Sequence, residues 1–353
     1  MKYAKQILVA MLTTGLLACS GTATKSDAEP DWVSGNSSKY SNQQYLLGRG
    51  QADDVATAED RARADLAKIF VVNVNVADVD KQKFSSTQSS TSSSTTAGEK
   101  PVSQFTAEVS RTIVTSTDKM LKGVQIADIW KDQTQKTVHA LAVLSRNQAA
   151  TGIKREINRL DDLTRLSIDE AANAKESLDK IAYARRAVIA QQERLAHQKS
   201  LQIIDTSGRG VPAKYKLAQL ITDYEKLLPR VHIKPVMLGE HQDIISTVLP
   251  AALSSAGFSV TDSDDAEYVM EVTLKLADIF QKEGWYWGRG LLILTLRDRQ
   301  NIVQGQKEWP IKVSSQEKAE VMMRAERKAD DILQQDLLAT MVGFTQVGSS
   351  TGN

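Results

Sequence analysis

Hydrophobic residues fall first into one short apolar run, and then into segments whose period switches between two residues and about 3.6. The opening run covers residues 7–17, follows two lysines (Lys2 and Lys5), and ends in Leu16-Leu17-Ala18-Cys19. A membrane-spanning helix takes ~20 apolar residues, so this run is too short to serve as one. Its basic start and small-residue exit mark an export signal, with cleavage expected between Ala18 and Cys19. Residues 20–29 are small and polar; they cannot bury enough apolar surface to order themselves and read as a flexible tether. Pro30-Asp31-Trp32-Val33 is the first stretch expected to pack.

A short strand over 43–50, with Gly48 and Gly50 expected where the chain turns, precedes a helix over 55–69. In that helix Ala58, Ala62, Leu66 and Ile69 recur at three- and four-residue spacing, opposite Glu59, Asp60, Arg61, Arg63, Asp65 and Lys68. Thr57 and Asp60 resemble a capping box. The stripe is mostly alanine, which lets a helix approach a sheet closely. Val72, Val74 and Val76 alternate with polar residues and predict a strand over 71–79. The Ser/Thr tract at 85–98 reads as a solvated loop. Phe105, Val109 and Ile113 stand four apart and favour a helix over 101–117, although alternation fits them too. Val124, Ile126 and Trp130 open a hairpin that turns through 131–134 and returns along Val138, Ala140, Ala142 and Leu144.

Residues 147–204 predict a helical hairpin broken at Leu166-Ser167. Its apolar seam is thin, interrupted by Arg185 and Gln192, so it has to lean on a neighbour. The chain then breaks at 207–212 and a short helix follows over 213–227. Beyond it come a strand at 231–236, a helix over 241–256 ended by Gly257, and a clean alternating strand at 270–276. Two more strands follow at 291–296 and 309–313. A closing helix spans 316–342, with Ser314 and Glu317 as its capping box. The fold class expected is α+β: two small antiparallel-sheet-plus-helix domains, at 30–146 and 213–345, joined by a helical hairpin at 147–212. A disordered tail is expected at 346–353.

Charge and cysteine content narrow the setting. The 353 residues hold 44 Lys+Arg and 43 Asp+Glu, a net charge of +1. Cleavage before Cys19 removes Lys2 and Lys5 and turns the balance slightly negative, which argues against a nucleic-acid partner. Cys19 is the single cysteine, so no disulfide framework competes for it. In the Leu-Ala-Cys context its thiol is the group that takes a diacylglyceryl thioether. Ser20, rather than an aspartate, follows it and favours sorting to the outer membrane. Acyl chains at ~0.8 kcal/mol per buried methylene make such an anchor lasting once two or more are attached. The expected location is the periplasmic face of the outer membrane.

One ordered set of short motifs adds to this reading. Pro30-Asp31-Trp32-Val33, Tyr45-Leu46-Leu47-Gly48-Arg49-Gly50, Arg63-Ala64-Asp65-Leu66-Ala67-Lys68, and Trp130 ahead of Thr137-Val138-His139-Ala140-Leu141 together resemble the Lpp-twenty lipoprotein family over about 30–147. The resemblance implies a bacterial envelope lipoprotein with a small α+β domain. Some relatives are flagellar outer-membrane components, and no enzymatic site belongs to the pattern. Some 200 further residues set this chain apart.

Candidate chemistry is sparse. His139, His197, His232 and His241 show no second histidine or carboxylate at ligand spacing on a predictable face, so no metal site and no cofactor are expected. Gly48-Arg49-Gly50 begins like a dinucleotide loop, but Asp53 stands at the third glycine position. Gly208-Arg209-Gly210 lacks the lysine and hydroxyl of a phosphate loop. The Gly-x-Ser-x-Gly elbow does not occur. Acid pairs such as Asp161-Asp162 read as caps or solvated groups. The remaining cluster is Trp285, Tyr286, Trp287 and Arg289 within the glycine-punctuated stretch 284–290, which reads either as a hairpin turn whose aromatics fold back over the sheet or as a set of typical interface anchors; on a strand, alternation would put Trp285 and Trp287 on one face. The expectation is a non-enzymatic, lipid-anchored binding or assembly factor with an envelope protein partner, for which this cluster is the candidate binding site. The alternative is a structural subunit of a flagellar or secretion-associated ring, with homo-oligomerisation left open.

Overall fold

The computed structural model describes residues 28–69 and 123–345. The signal peptide, Cys19, most of the expected tether, the segments predicted at 71–79, 85–98 and 101–117, and the tail from 346 lie outside the described residues.

The first sheet holds β1 (Tyr45–Ala52), β2 (Gln125–Asp132) and β3 (Thr137–Ser145), antiparallel in the order β1-β3-β2. A one-turn helix, α1 (Asp31–Ser34), lies on one face. Helix α2 runs from 55 to 69, the last described residue before the gap. It crosses the other face, where Ala58, Ala62 and Leu66 are fully buried beside Ala140, Ala142 and Leu144. The glycines expected to mark a turn at 48–50 lie inside β1. A Cβ on Gly48 would strike the Ala62 carbonyl and Leu66, and one on Gly50 would strike the backbone of Ala58 and Ala62. The alanine stripe and these glycines are thus two halves of one close contact. Asp54 caps α2, accepting from Thr57 N at 2.9 Å, so the first residue of the cap is Asp54 rather than Thr57.

Two long antiparallel helices follow, α3 (Arg146–Asn173) and α4 (Ser177–Ile204). Helix α3 does not break at Leu166-Ser167. Ser167 is buried and continues the stripe of Ile153, Ile157, Leu160 and Thr164, and the chain turns only after Asn173. The thin seam does lean on neighbours, at both ends. Ile153, Ile157, Leu201 and Ile204 join the core under the first sheet, while Leu178, Ile181, Ala182 and Val188 join the core of the second. Between these ends the helices share a buried polar network. Arg194 Nε and Gln191 Nε2 each donate to Asp161 Oδ1 at 3.0 Å, and Gln191 also donates to Thr164 Oγ1 at 2.9 Å. The Arg194 guanidinium further donates to the carbonyls of Val211 and Pro212. Asp161 is therefore not a solvated acid, and the break at 207–212 is pinned to the hairpin at its end.

Helix α5 (Leu217–Glu225) leads to the second sheet. Its strands are β4 (His232–Leu238), β5 (Ser259–Val260), β6 (Tyr268–Leu276), β7 (Phe280–Lys282), β8 (Trp285–Asp298) and β9 (Val303–Ser315). Strand β4 is parallel to β5 and β6, and the remaining pairs are antiparallel. The sheet is thus mixed, where the sequence suggested antiparallel throughout. Beyond β6, β7 pairs with the first residues of β8, and β9 lines the other edge of β8. The helix expected over 241–256 is two pieces, α6 (Gln242–Ile245) and α7 (Val248–Ser255). Pro250 explains the break, because its ring clashes with the carbonyl four residues back and it has no N–H to donate.

Helix α8 (Lys318–Gly343) closes the core through Val321, Ala325, Ala329, Leu333, Leu337 and Met341, while Met322 is only half-buried. Its first turn is held by Ser315, not Ser314. The Ser315 hydroxyl accepts from Glu317 N at 3.2 Å and donates to Glu320 Oε2 at 2.6 Å. The α+β class stands. No described helix is long and apolar enough to cross a membrane.

Candidate functional site

The 285–289 cluster is strand, not turn. Glu283 (φ 52°) and Gly284 (φ 79°) form the two-residue turn between β7 and β8. Left-handed φ at both central positions belongs to the turn type whose twist suits a tight hairpin. The aromatic residues therefore open β8. Register then sorts the second sheet into two faces. Leu292, Leu294, Leu296, Met270, Val272, Leu274 and Ile311 point toward α8 and are buried. On the other face Lys275, Phe280, Lys282, Trp285, Trp287, Arg289, Leu291, Ile293 and Lys312 are all half-buried or exposed. Phe280, Trp285, Leu291 and, at the far side, Leu238 are large apolar side chains about 40% exposed.

Cations cover part of this aromatic surface. The Arg289 guanidinium lies 5.4 Å from the Phe280 ring centre, and Lys312 Nζ lies 5.4 Å from that of Trp287, distances at which a cation is attracted to an aromatic face. Lys275, Lys282, Arg289 and Lys312 share the patch, with Asp278 and Glu283 at its edge and Glu308, opposite Ile293, further along the same face. Tyr286 points to the opposite face and is half-buried there, so it leaves the cluster. Trp285 and Trp287 share a face but not an environment. Trp287 is half-buried, and its indole nitrogen is sealed from solvent without a described partner. Trp285→Ala is expected to change the unfolding free energy by no more than ~0.5 kcal/mol. Trp287→Ala should lower it by roughly half of the ~3–5 kcal/mol of a fully buried aromatic. Urea unfolding of the two variants measures both.

A second arrangement escaped the sequence reading. Glu193 and His197 stand one turn apart on α4, and Glu156 faces them from α3. One ligand atom from each lies within 4.8 Å of the other two, a donor set able to hold a divalent ion. Arg159 donates to Glu156 at 2.7 Å, and the two glutamates hold its guanidinium more firmly protonated, so it competes with an ion for the same oxygens. The four-residue spacing of Glu193 and His197 was the signal available. His232 is exposed, His241 sits at the start of α6, and neither joins this group.

The motifs that carry the family resemblance converge elsewhere. Trp32 and Val33, Arg49 and Gly50, Trp130 and His139 come from four separate stretches of sequence and line one cavity of about 500 Å³ on the α1 side of the first sheet. Residues 30–145, which include nearly all of the residues lining this cavity, match the LPP20 lipoprotein family. The match ends where α3 begins. A comparison with curated proteins finds no match. Among solved structures, the chain is similar to the secreted protein HP1454 from Helicobacter pylori, at 12% identity and a TM-score of 0.41 over 82% of this chain and 96% of that one. A minor lipoprotein from Acinetobacter baumannii is similar at 17% identity and a TM-score of 0.25, over 35% of this chain and 95% of that one. A lipoprotein from Caulobacter crescentus is similar at 10% identity and a TM-score of 0.25, over 32% and 88%.

Proposed function

We propose that this protein is a lipid-anchored envelope protein, held by Cys19 at the periplasmic face of the outer membrane, that binds an envelope protein and performs no chemistry on it. The observation that carries the binding role is the face of the second sheet that the described residues leave uncovered, where Phe280, Trp285 and Leu291 are exposed among Lys275, Lys282, Arg289 and Lys312. Aromatic residues and arginine are the usual anchors of protein interfaces, and the cations set around the aromatic rings favour a partner with acidic groups beside an apolar patch. The lipoprotein family match at 30–145 supports the anchor.

The anchor is tested with Cys19→Ser in cells. Uncleaved precursor without incorporated palmitate is expected, because the lipobox cysteine is the acyl acceptor. Acylated protein of mature size from this variant would sink the anchor. For the face, Arg289→Glu with Lys312→Glu should cut recovery of partners co-purified with the full-length lipoprotein at least tenfold and leave the melting temperature unchanged. Equal recovery by both proteins would remove the face from the account.

A further inference from the structure

The cavity on the first sheet is walled by aromatic side chains held in place by their own contacts. Its back is Trp32, buried and fixed by donation from its indole nitrogen to Asp128 Oδ2 at 2.9 Å. Its side is Trp130, half-buried, which faces His139 across the strand pair with ring centres 5.2 Å apart. Thr137 Oγ1 stands 3.3 Å from His139 Nε2 and restrains that ring. Arg49, which lines the cavity, donates to the Gly35 carbonyl and so ties β1 to the end of α1, whose Trp32 and Val33 line it too. These aromatic walls are therefore positioned before any ligand arrives, and preorganised walls reduce the entropy lost on binding.

The rim is polar and adaptable. Asp132 uses Oδ1 for the turn, accepting from Thr134 N and Gln135 N at 2.8 and 3.0 Å, so Oδ2 remains to accept from a ligand. Gln51 and Gln135 line the same cavity, and the side-chain amide of each offers two donors and an acceptor. Glu29 and Asp132 outnumber Arg49 among the charged lining residues, which disfavours phosphates and other anions. About 500 Å³ lies within the ~300–1,000 Å³ of small-ligand sites. A ligand with a flat apolar face and a periphery of hydroxyl and amide groups, without charge, meets these conditions.

We propose that this cavity binds a neutral saccharide, with one ring stacked on Trp130 and its hydroxyl or acetamido groups bonded to Asp132, Gln51 and Gln135. The site is independent of the aromatic face on the second sheet and takes a different class of ligand. Within the envelope such rings come either from free oligosaccharide or from the glycan strands of the cell wall.

The test titrates the protein from Ser20 onward, which retains every described residue, with triacetylchitotriose by calorimetry and tryptophan fluorescence. Saturable binding is expected. Trp130→Ala should weaken it at least tenfold, with Trp130→Phe keeping part of the affinity. Gln51→Ala and Gln135→Ala, which remove exposed amides, should weaken it about three- to tenfold without moving the melting temperature, and so guard against a Trp130 variant that fails to fold. Trp285→Ala should bind as the parent does. Co-sedimentation with purified cell-wall sacculi, displaced by chitotriose, would assign the polymer as source; chitotriose binding without co-sedimentation would assign the free sugar. No saturable binding of chitotriose or maltotriose would overturn the proposal. So would binding that survives in the Gln51, Gln135 and Trp130 variants alike, or that is lost with Trp285. The co-purification test of the aromatic face is indifferent to all of these results.

Discussion

Arg194→Ala is expected to lower the stability of the α3–α4 hairpin by ~3–5 kcal/mol, the usual consequence of stranding one member of a buried ion pair. The side chains of Asp161 and Arg194 are 0% and 3% exposed. Asp161 Oδ1 already serves two donors, and Oδ2 has no described partner. Removing the guanidinium leaves a carboxylate with one amide for company and frees the Val211 and Pro212 carbonyls. Much of this effect is the penalty of an unpaired charge, so Asp161→Leu combined with Arg194→Met should be far less harmful than either change alone. Urea unfolding of the two single variants and the double variant separates the pair from its desolvation. Independent, additive losses would show that the two side chains are not coupled.

Gly50→Val should be equally severe in the first sheet. A Cβ at this position meets the carbonyl oxygen of Ala58 and the amide nitrogen of Ala62, which are main-chain atoms of α2 that no rotamer change can move. Overpacking a core typically costs ~1–3 kcal/mol where side chains can yield, and here the helix itself must lift from the strand. A loss of ~3 kcal/mol or more is expected. By contrast Gly152→Ala, in a helix with open space around the new methyl, should be neutral or stabilising by up to ~1 kcal/mol. Thermal unfolding of both variants makes the comparison, and a Gly50→Val protein with the parent's midpoint would contradict the packing of α2 on β1.

Local pattern carried much of the fold. Val138, Ala140, Ala142 and Leu144, and Met270, Val272 and Leu274, alternate in sequence and are buried on one face in the structure. Ala58, Ala62 and Leu66 repeat with helical period and form the buried stripe of α2. What escaped were features decided by distant partners. Gly48 and Gly50 looked like turn residues because their need is set by α2 passing over β1. Gly284, Gly288 and Gly290 made 284–290 resemble a loop, yet only Gly284 turns the chain; Gly288 sits buried under Val321 of α8. Ser167 and Asp161 looked polar and external, and their burial depends on the facing helix. The parallel placement of β4 beside β6 follows from the crossover through α6 and α7, which alternation cannot show.

The candidate sites were legible to a different degree. Trp285, Trp287 and Arg289 were visible as anchors, and strand alternation gave their shared face. Which face α8 would leave uncovered required the fold. The cavity residues Trp32, Arg49, Trp130 and His139 were each visible within the motifs of the family resemblance. Their meeting depends on the order β1-β3-β2, which brings β1 and β2 to either side of β3, and on α1 closing one face.

Docking of an envelope protein on the face of the second sheet that the described residues leave uncovered can be read directly in cells. The most direct measurement replaces Arg289, and separately Met323, with a photoreactive amino acid in the full-length lipoprotein and irradiates living cells. Arg289 lies in the aromatic patch, whereas Met323 is 58% exposed on α8, across the sheet from it. A discrete crosslinked protein is expected from position 289, absent from 323 and lost when Lys312→Glu is added. The same products from both positions, or a crosslink at 289 untouched by Lys312→Glu, would contradict docking on this face.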